Sequence, residues 1–186
     1  MEEESVAVSD GSITWGPSTR SASSHMEGQA TAVATRPDLE SVYRQHGPRL
    51  WRAVFAYAQD RHVADDAVAE AFAQALRRGN AIHSPEKWVW KAAFRIAAGR
   101  LEDRRRSVPL MEVPSGRNPE PAWELLTALR EVPERSRACL VLHYYGGYGT
   151  AEIARMVGSS PAAVRMQLTR GRRRLQELLE GGEGGA

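Results

Sequence analysis

The 186-residue chain has one cysteine, two lysines and no long apolar run. A single cysteine excludes a disulfide framework and a thiolate zinc site, and Cys139 lies in an apolar run that predicts a place in a helix core. No run approaches the ~18 apolar residues of a membrane span. The start Met1-Glu2-Glu3-Glu4 lacks the basic residues and apolar stretch of a secretory signal. We therefore expect a cytoplasmic protein with no membrane span.

Lysine is scarce because arginine supplies 23 of the 25 basic side chains. Guanidinium groups bind phosphate bidentately and stack on bases, although a GC-rich coding genome explains the same bias. The net charge of +2 also hides an uneven distribution. Residues 1–35 carry five acids and one base, residues 36–106 fourteen bases and nine acids, and residues 120–180 nine bases and seven acids. The two later segments are therefore both basic.

Two breaks divide the chain. Residues 1–35 have few large apolar side chains and are predicted to be disordered, because they cannot bury enough surface to offset the entropy of ordering. Four prolines within residues 107–121 predict an extended linker. Residues 181–186 are predicted to form a flexible tail. Elsewhere the apolar spacing is helical and no run alternates as a strand does. We predict an all-α chain with two small helical domains, residues 36–106 and 122–180.

In the first domain the apolar residues recur every three or four positions. This spacing predicts a first helical stretch that is interrupted at Gly47-Pro48. A second helix is predicted with an apolar stripe of four residues, Val68, Phe72, Ala75 and Leu76. Ser84-Pro85 predicts the start of a long helix that runs to about Arg106, because proline is favoured at the first helical position.

The strongest local pattern is a helix-turn-helix between Thr150 and Leu168. Thr150 is predicted as an N-cap, and Gly158 supplies a left-handed residue at the turn. Ala154 allows the two helices to approach closely, and Val164 fills their contact. The exposed face of the second helix carries five residues, Arg165, Met166, Thr169, Arg170 and Arg173. Such a face suits the major groove of DNA, and the alternative is a solvated basic face on an ordinary helical hairpin.

The first domain carries an acidic helix face. Asp66 and Glu70 lie opposite the apolar stripe of the second predicted helix, and Asp65 flanks them, inside an otherwise basic domain. An acidic face repels DNA and suits a basic protein partner. The alternative is a surface that only keeps the helix soluble.

The long helix carries an aromatic and basic face. Trp88, Lys91 and Arg95 recur at helical spacing and share one narrow arc. Bases stack on such a ring while cations hold the backbone, so this face is typical of a surface for unpaired nucleic acid. Four arginines extend the positive track towards the linker, namely Arg100, Arg104, Arg105 and Arg106. The alternative is that Trp88 is a core residue; Trp90 and Phe94 are expected to pack inward or between the domains.

In their order, these patterns resemble a bacterial RNA polymerase sigma factor of the extracytoplasmic-function (ECF) group of the sigma-70 family. The likeness covers residues 38–106 as region 2 and residues 122–180 as region 4. It rests on several short pieces, namely Tyr43-Arg44, Pro48-Arg49-Leu50, Ala64-Asp65-Asp66, Trp88-Val89-Trp90-Lys91, Val132-Pro133-Glu134-Arg135, Tyr144-Tyr145-Gly146-Gly147 and Glu152-Ile153-Ala154. Arg95 and Met166 depart from the family pattern, so no promoter sequence is carried over.

The resemblance implies binding to core RNA polymerase, recognition of the −10 and −35 promoter elements, and DNA melting. The acidic residues Asp65, Asp66 and Glu70 would dock the β′ clamp helices, while region 4 would rest on the β flap. Unpaired −10 bases would be captured by five residues, Asn80, Lys87, Trp88, Lys91 and Arg95. The −35 element would be read from the exposed face of the second helix of the helix-turn-helix. An anti-sigma protein is a further implied partner.

Two other classes of protein compete with this interpretation. A free-standing helix-turn-helix regulator would bind DNA without core polymerase, which distinguishes it from a sigma factor. An enzyme has little support, because the five histidines lack metal-ligand spacing. The run Gly146-Gly147-Tyr148-Gly149 also lacks the strand and lysine of a phosphate loop. We expect no metal, no cofactor and no catalytic residue.

Overall fold

The computed structural model describes residues 39–106 and 121–181, which form helices joined by short turns, with no strand in either range. The predicted disordered segment 1–35 lies outside the described residues, as does the predicted linker up to residue 120. Within the two ranges, no helix is long and apolar enough to cross a membrane.

Three helices make up the first domain and pack against one another in every pairing. They are α1 (Leu39–Ala58), α2 (Arg61–Arg78) and α3 (Pro85–Arg106), with a 3₁₀ turn (Gly79–Ala81) between α2 and α3. Asp60 caps α2, because its carboxylate accepts a hydrogen bond from the Val63 N–H at 2.9 Å. The largest fully buried side chains of this domain are Leu50, Val54, Tyr57, Val89, Trp90 and Phe94.

Two expectations for the first domain were wrong. Gly47-Pro48 does not interrupt α1, which runs unbroken with Pro48 inside it. A proline removes one helical hydrogen bond, and the complete burial of Leu50 and Val54 on the same helix outweighs that loss. Leu76 is not part of the buried stripe, since 69% of its surface is exposed. It lies near the end of α2, at the edge of the apolar face.

The second domain contains four helices and one π-helical turn. These are α4 (Pro121–Arg130), α5 (Glu134–Leu140), the π-helical turn Val141–Tyr145, α6 (Thr150–Val157) and α7 (Pro161–Gly181). Within the described residues, α4 begins at Pro121 and α7 ends at Gly181. Helix α7 is central and contacts α4, α5 and α6. A Cβ atom at Gly171 would lie 3.0 Å from Leu140 Cδ1, so glycine permits the close crossing of α5 and α7.

The turn between α6 and α7 is the predicted helix-turn-helix. Gly158 adopts φ 64° and ψ 45°, the left-handed conformation that the turn requires. Ala154 and Val164 are buried where the helices meet, with 3% and 1% of their surface exposed. The Ser160 hydroxyl oxygen accepts a hydrogen bond from the Ala163 N–H at 3.1 Å and caps α7.

The predicted N-cap at Thr150 was wrong. Thr150 is the first residue of α6, and Gly149 precedes it as the cap. The Gly149 N–H donates a hydrogen bond to Glu152 Oε2 at 3.1 Å. The carboxylate of the third helical residue thus satisfies the backbone N–H of the cap residue, as in one half of a capping box.

The two domains share a continuous buried core. Trp90 of α3 packs edge-on against Tyr148, with ring centroids 5.6 Å apart. A Cβ atom at Gly146 would lie 3.1 Å from the Trp90 ring, so the π-helical turn approaches α3 very closely. On the other side of the contact, the Tyr57 hydroxyl donates to Glu134 Oε1 at 2.7 Å. Trp90 was expected to pack inward or between the domains, and the structure shows it buried and in contact with both domains.

Candidate nucleic-acid interface

Helix α7 presents a basic face to solvent. All five predicted residues are exposed, namely Arg165, Met166, Thr169, Arg170 and Arg173. Val164 and Leu168 on the opposite side are buried, which fixes the orientation of the helix. Arg173 pairs with Glu177 at 2.9 Å, whereas Arg165 and Arg170 have no carboxylate partner in residues 39–106 or 121–181. The structure therefore brings the whole predicted set together on one open surface.

Helix α3 presents three of its predicted residues to a small cleft. Trp88, Lys91 and Arg95 are half-buried and line a cleft of about 70 Å³ together with Arg78 and Ala92. The Arg78 guanidinium carbon lies 5.4 Å from the centroid of the Trp88 ring. Arg95 contacts the Gln74 amide oxygen at 3.3 Å.

Sequence analysis missed Arg78. Arg78 is the last residue of α2, ten positions before Trp88. The 3₁₀ turn between the two helices brings the two side chains together. No helical spacing within one element could have indicated this pair.

The other two predicted −10 residues are placed differently. Asn80 is exposed in the 3₁₀ turn, and neither it nor Lys87 lines the cleft of Trp88. Lys87 Nζ instead lies 2.7 Å from Glu152 Oε1 on α6 of the second domain. The hydrogen bond from Lys87, followed by that from the Gly149 N–H, holds the pKa of Glu152 below its usual value. The predicted −10 lysine is thus tied to the first helix of the helix-turn-helix.

The acidic face of α2 is present, but its charges are paired. Asp65 and Asp66 are exposed and Glu70 is half-buried. Asp65 Oδ1 accepts a hydrogen bond from Trp51 Nε1 at 2.6 Å, and Arg100 lies 3.5 Å from Asp66 Oδ2.

Glu70 is paired in the same way, within its own helix. Its carboxylate accepts hydrogen bonds from Gln74 at 2.9 Å and from Arg77 at 2.7 Å. These two bonds hold the pKa of Glu70 below its usual value. A basic partner of this face would therefore compete with arginines of the same domain.

The predicted positive track along α3 is largely used inside the molecule. Arg100 pairs with Asp66, Arg104 with Asp60, and Arg105 with Glu134 of the second domain. The side chain of Arg106 lies outside the described residues. In each of these three pairs an acid in, or capping, a neighbouring helix offsets the charge of the arginine.

An apolar groove of about 800 Å³ lies between α1 and the second domain. Its apolar lining includes Phe55, Leu125, Leu126, Leu129, Leu175 and Leu179. Sequence analysis did not find it, because residues of α1, α4 and α7 create it only when the domains pack together. In the described ranges no three His, Cys, Asp or Glu side chains lie close enough to hold a metal ion.

Comparison with known proteins matches residues 122–175 to the family model of sigma-70, region 4. The chain is 24% identical over 154 residues to the RNA polymerase sigma factor CarQ of Myxococcus xanthus, covering 76% of this chain and 88% of that protein. It is 27% identical over 159 residues to the ECF RNA polymerase sigma factor SigM of Mycobacterium tuberculosis (strain ATCC 35801 / TMC 107 / Erdman), covering 81% of each.

A solved structure shares the fold. The sigma factor RpoE from Bartonella quintana, in complex with the anti-sigma factor NepR, superposes with a TM-score of 0.66 at 17% identity, covering 77% of this chain and 98% of that one. The segment that contains the helix-turn-helix therefore matches region 4 of the sigma-70 class. Within that class the chain resembles the ECF RNA polymerase sigma factors, and a free-standing regulator is not favoured.

Proposed function

We propose that the protein is a sigma factor that binds core RNA polymerase, directs it to −35 and −10 promoter elements, and stabilises the melted strand. The observation that carries the proposal is the open basic face of α7 on a helix-turn-helix that matches sigma-70 region 4. The protein contributes binding and performs no chemistry, and it acts in the cytoplasm with the polymerase.

The −35 element is read by α7. Arg165 and Arg170 are exposed and free of carboxylate partners, so each is available to a guanine edge or a phosphate. Met166 lies between them with 44% of its surface exposed and offers an apolar contact to a base. Arg173 pairs with Glu177 at the next turn and is better suited to a phosphate, which can displace the carboxylate.

The −10 element is held as a single strand on α3. A base stacks on Trp88, which is worth ~1–3 kcal/mol per base in proteins of this kind. Lys91 and Arg95 line the same cleft and face the backbone phosphates. Asn80 lies in the preceding 3₁₀ turn and Lys87 in the first turn of α3, where Lys87 must leave Glu152 before it contacts DNA.

Two surfaces meet protein partners. The acidic face of Asp65, Asp66 and Glu70 docks the β′ clamp helices, whose basic groups exchange with Arg77 and Arg100. The apolar groove between α1, α4 and α7 receives an apolar helix, either from the β flap or from an anti-sigma protein. An anti-sigma partner is supported by the solved relative, which is a complex with NepR.

Run-off transcription with core enzyme on a library of promoters tests the proposed function. The chain is expected to direct core polymerase to a restricted set of promoters. Tight and specific binding of the chain alone to duplex promoter DNA, with no response to core enzyme, would instead establish a free-standing regulator.

The acidic face is tested by the double variant Asp66→Arg with Glu70→Arg. We expect loss of core binding, because the variant reverses two charges of the docking face beside Arg77 and Arg100. Glu40→Arg with Glu131→Arg makes the same change of charge at two exposed positions elsewhere and should bind core normally. Fluorescence anisotropy measures the affinity of each variant for core polymerase, and circular dichroism checks that its helix content is unchanged. Unchanged affinity of the first variant would remove the acidic face from the mechanism.

A further inference from the structure

The cleft between the end of α2 and α3 is lined by three cations and no carboxylate. Arg78, Lys91 and Arg95 share it with Trp88 and Ala92. Arg95 contacts only a neutral amide oxygen of Gln74 there, at 3.3 Å. Lys91 has no ion pair within the two described ranges. Positive charge that is gathered without a counter-ion favours an anionic ligand.

Two adjacent arginines at the end of α2 differ in their partners. Arg77 pairs with Glu70 at 2.7 Å, so its charge is matched within α2. Arg78 has no carboxylate partner in the described parts of the chain, and its guanidinium lies over the Trp88 ring at 5.4 Å. A cation–π contact at an exposed site such as that of Arg78 contributes only ~0.5–1 kcal/mol. Arg78 is therefore held weakly and can be exchanged.

The backbone explains why Arg78 reaches the ring. Gly79 adopts φ 48°, a value that other residues rarely adopt, and its N–H bonds to the Ala75 and Leu76 carbonyls. The chain thus leaves α2 abruptly and continues in the 3₁₀ turn. Arg78, as the last residue of α2, is placed beside the first turns of α3.

We propose that Arg78 is a further nucleic-acid-binding residue, which covers the Trp88 ring in the free protein and pairs with a backbone phosphate when an unpaired base takes its place. The inference rests on the proposed function, because it takes Trp88 as the stacking surface for single-stranded DNA. The cleft is too small to enclose a base, and its cations suit the phosphodiester of the nucleotide that stacks on the ring. The exchange leaves Arg78 with an anionic partner and Trp88 with a base.

The test is a salt titration of the full chain with a fluorescent oligothymidine. Each phosphate contact to single-stranded DNA contributes about 0.7 to the slope of log affinity against log salt concentration. We expect Arg78→Ala to weaken binding at low salt and to lower the slope by about 0.7. Arg78→Lys should keep the slope, since an ammonium also neutralises a phosphate. Arg77→Ala is the matched control, because it removes the neighbouring arginine of the same helix and should leave the slope unchanged.

Two results would overturn the assignment of Arg78. One is a slope that does not change in Arg78→Ala, and the other is an equal decrease in Arg77→Ala, which would show a general effect of charge. Trp88→Ala separates this inference from the proposed function. If Trp88→Ala loses affinity while Arg78→Ala has the parent slope, only the role of Arg78 fails. If Trp88→Ala binds as the parent does while Arg78→Ala lowers the slope, the stacking surface fails and the phosphate contact remains.

Discussion

The two faces that we propose for DNA differ in what already occupies them. On α7, Arg165, Met166 and Arg170 are exposed, and neither arginine pairs with an acid in the described residues. On α3, the Trp88 ring is covered by Arg78 of α2, and Lys87 pairs with Glu152 of α6. The −35 face is therefore ready to bind, whereas the −10 face must first exchange partners.

The difference follows from where each helix lies. Helix α7 packs with one side on α4, α5 and α6 and leaves the other to solvent. Helix α3 packs on α2, and its Lys87 and Trp90 contact the second domain, so side chains from both neighbours reach α3. Exchanging internal contacts for DNA contacts subtracts from the affinity. We expect the −10 contacts to form mainly when promoter melting supplies unpaired bases.

The largest expected effect concerns the contact that holds α3 against the second domain. We expect Trp90→Ala to lower the free energy of unfolding by about 3–5 kcal/mol. The ring is 1% exposed and packs on both Phe94 and Tyr148, so its removal leaves a cavity shared by the two domains. Chemical denaturation measures the loss. Trp51→Ala is the control, because Trp51 is only half-buried and stacks on Phe55 alone. A loss no larger than that of the control would contradict the role of Trp90 in joining the domains.

An intermediate effect tests the open face. Arg170→Ala should weaken −35-dependent initiation by about 1–3 kcal/mol if Arg170 contacts a base, which is about 5- to 150-fold in affinity. Binding of the core complex to promoters with substituted −35 elements measures the loss. Arg174→Ala is the control, because Arg174 lies off this face near Glu177, at 3.8 Å. An equal loss on every sequence would assign Arg170 to a phosphate instead.

The features predicted best from sequence are those set within one short segment. Gly158, Ala154 and Val164 specified the turn and the crossing of α6 and α7, and the structure confirms all three. The five residues on the exposed side of α7 followed from the same helical spacing, since the burial of Val164 fixes the direction of every later side chain.

The features that were missed depend on distant parts of the chain. Nothing in the spacing of α2 indicates that Arg78 covers Trp88, because the 3₁₀ turn determines that contact. Arg105 pairs with Glu134 across the domains, and the positive pattern along α3 gave no indication of that partner. Pro48 was mistaken for a break because local propensity was weighed without the buried side chains that hold α1 together.

The smallest expected effect tests the occupied face. Glu152→Gln removes the charged partner of Lys87 and should raise the affinity of the protein for a single-stranded oligonucleotide. The gain should be at most about fivefold, because exposed ion pairs are weak. The glutamine amide oxygen can still accept from the Gly149 N–H, so the cap of α6 is kept. Glu177→Gln removes an acid beside Arg173 on α7 and is the control. No gain for Glu152→Gln would show that Lys87 is not withheld from DNA.

Acid should weaken the ion pair between Lys87 and Glu152, because the pKa of Glu152 is lowered in the folded protein. The hydrogen bond from Lys87 favours the ionised carboxylate of Glu152. The stability that this bond adds to the fold is therefore present above the ordinary glutamate pKa, and it is lost as the pH falls through the lowered pKa of Glu152. The contact between α6 and the start of α3 should therefore loosen only on acidification below about pH 4.5. Hydrogen exchange at the first turns of α3 and α6 measures this loosening. The Glu152→Gln protein should lack this component, because its amide does not titrate. An identical acid response in both proteins would show that Glu152 is not the group responsible for the loosening.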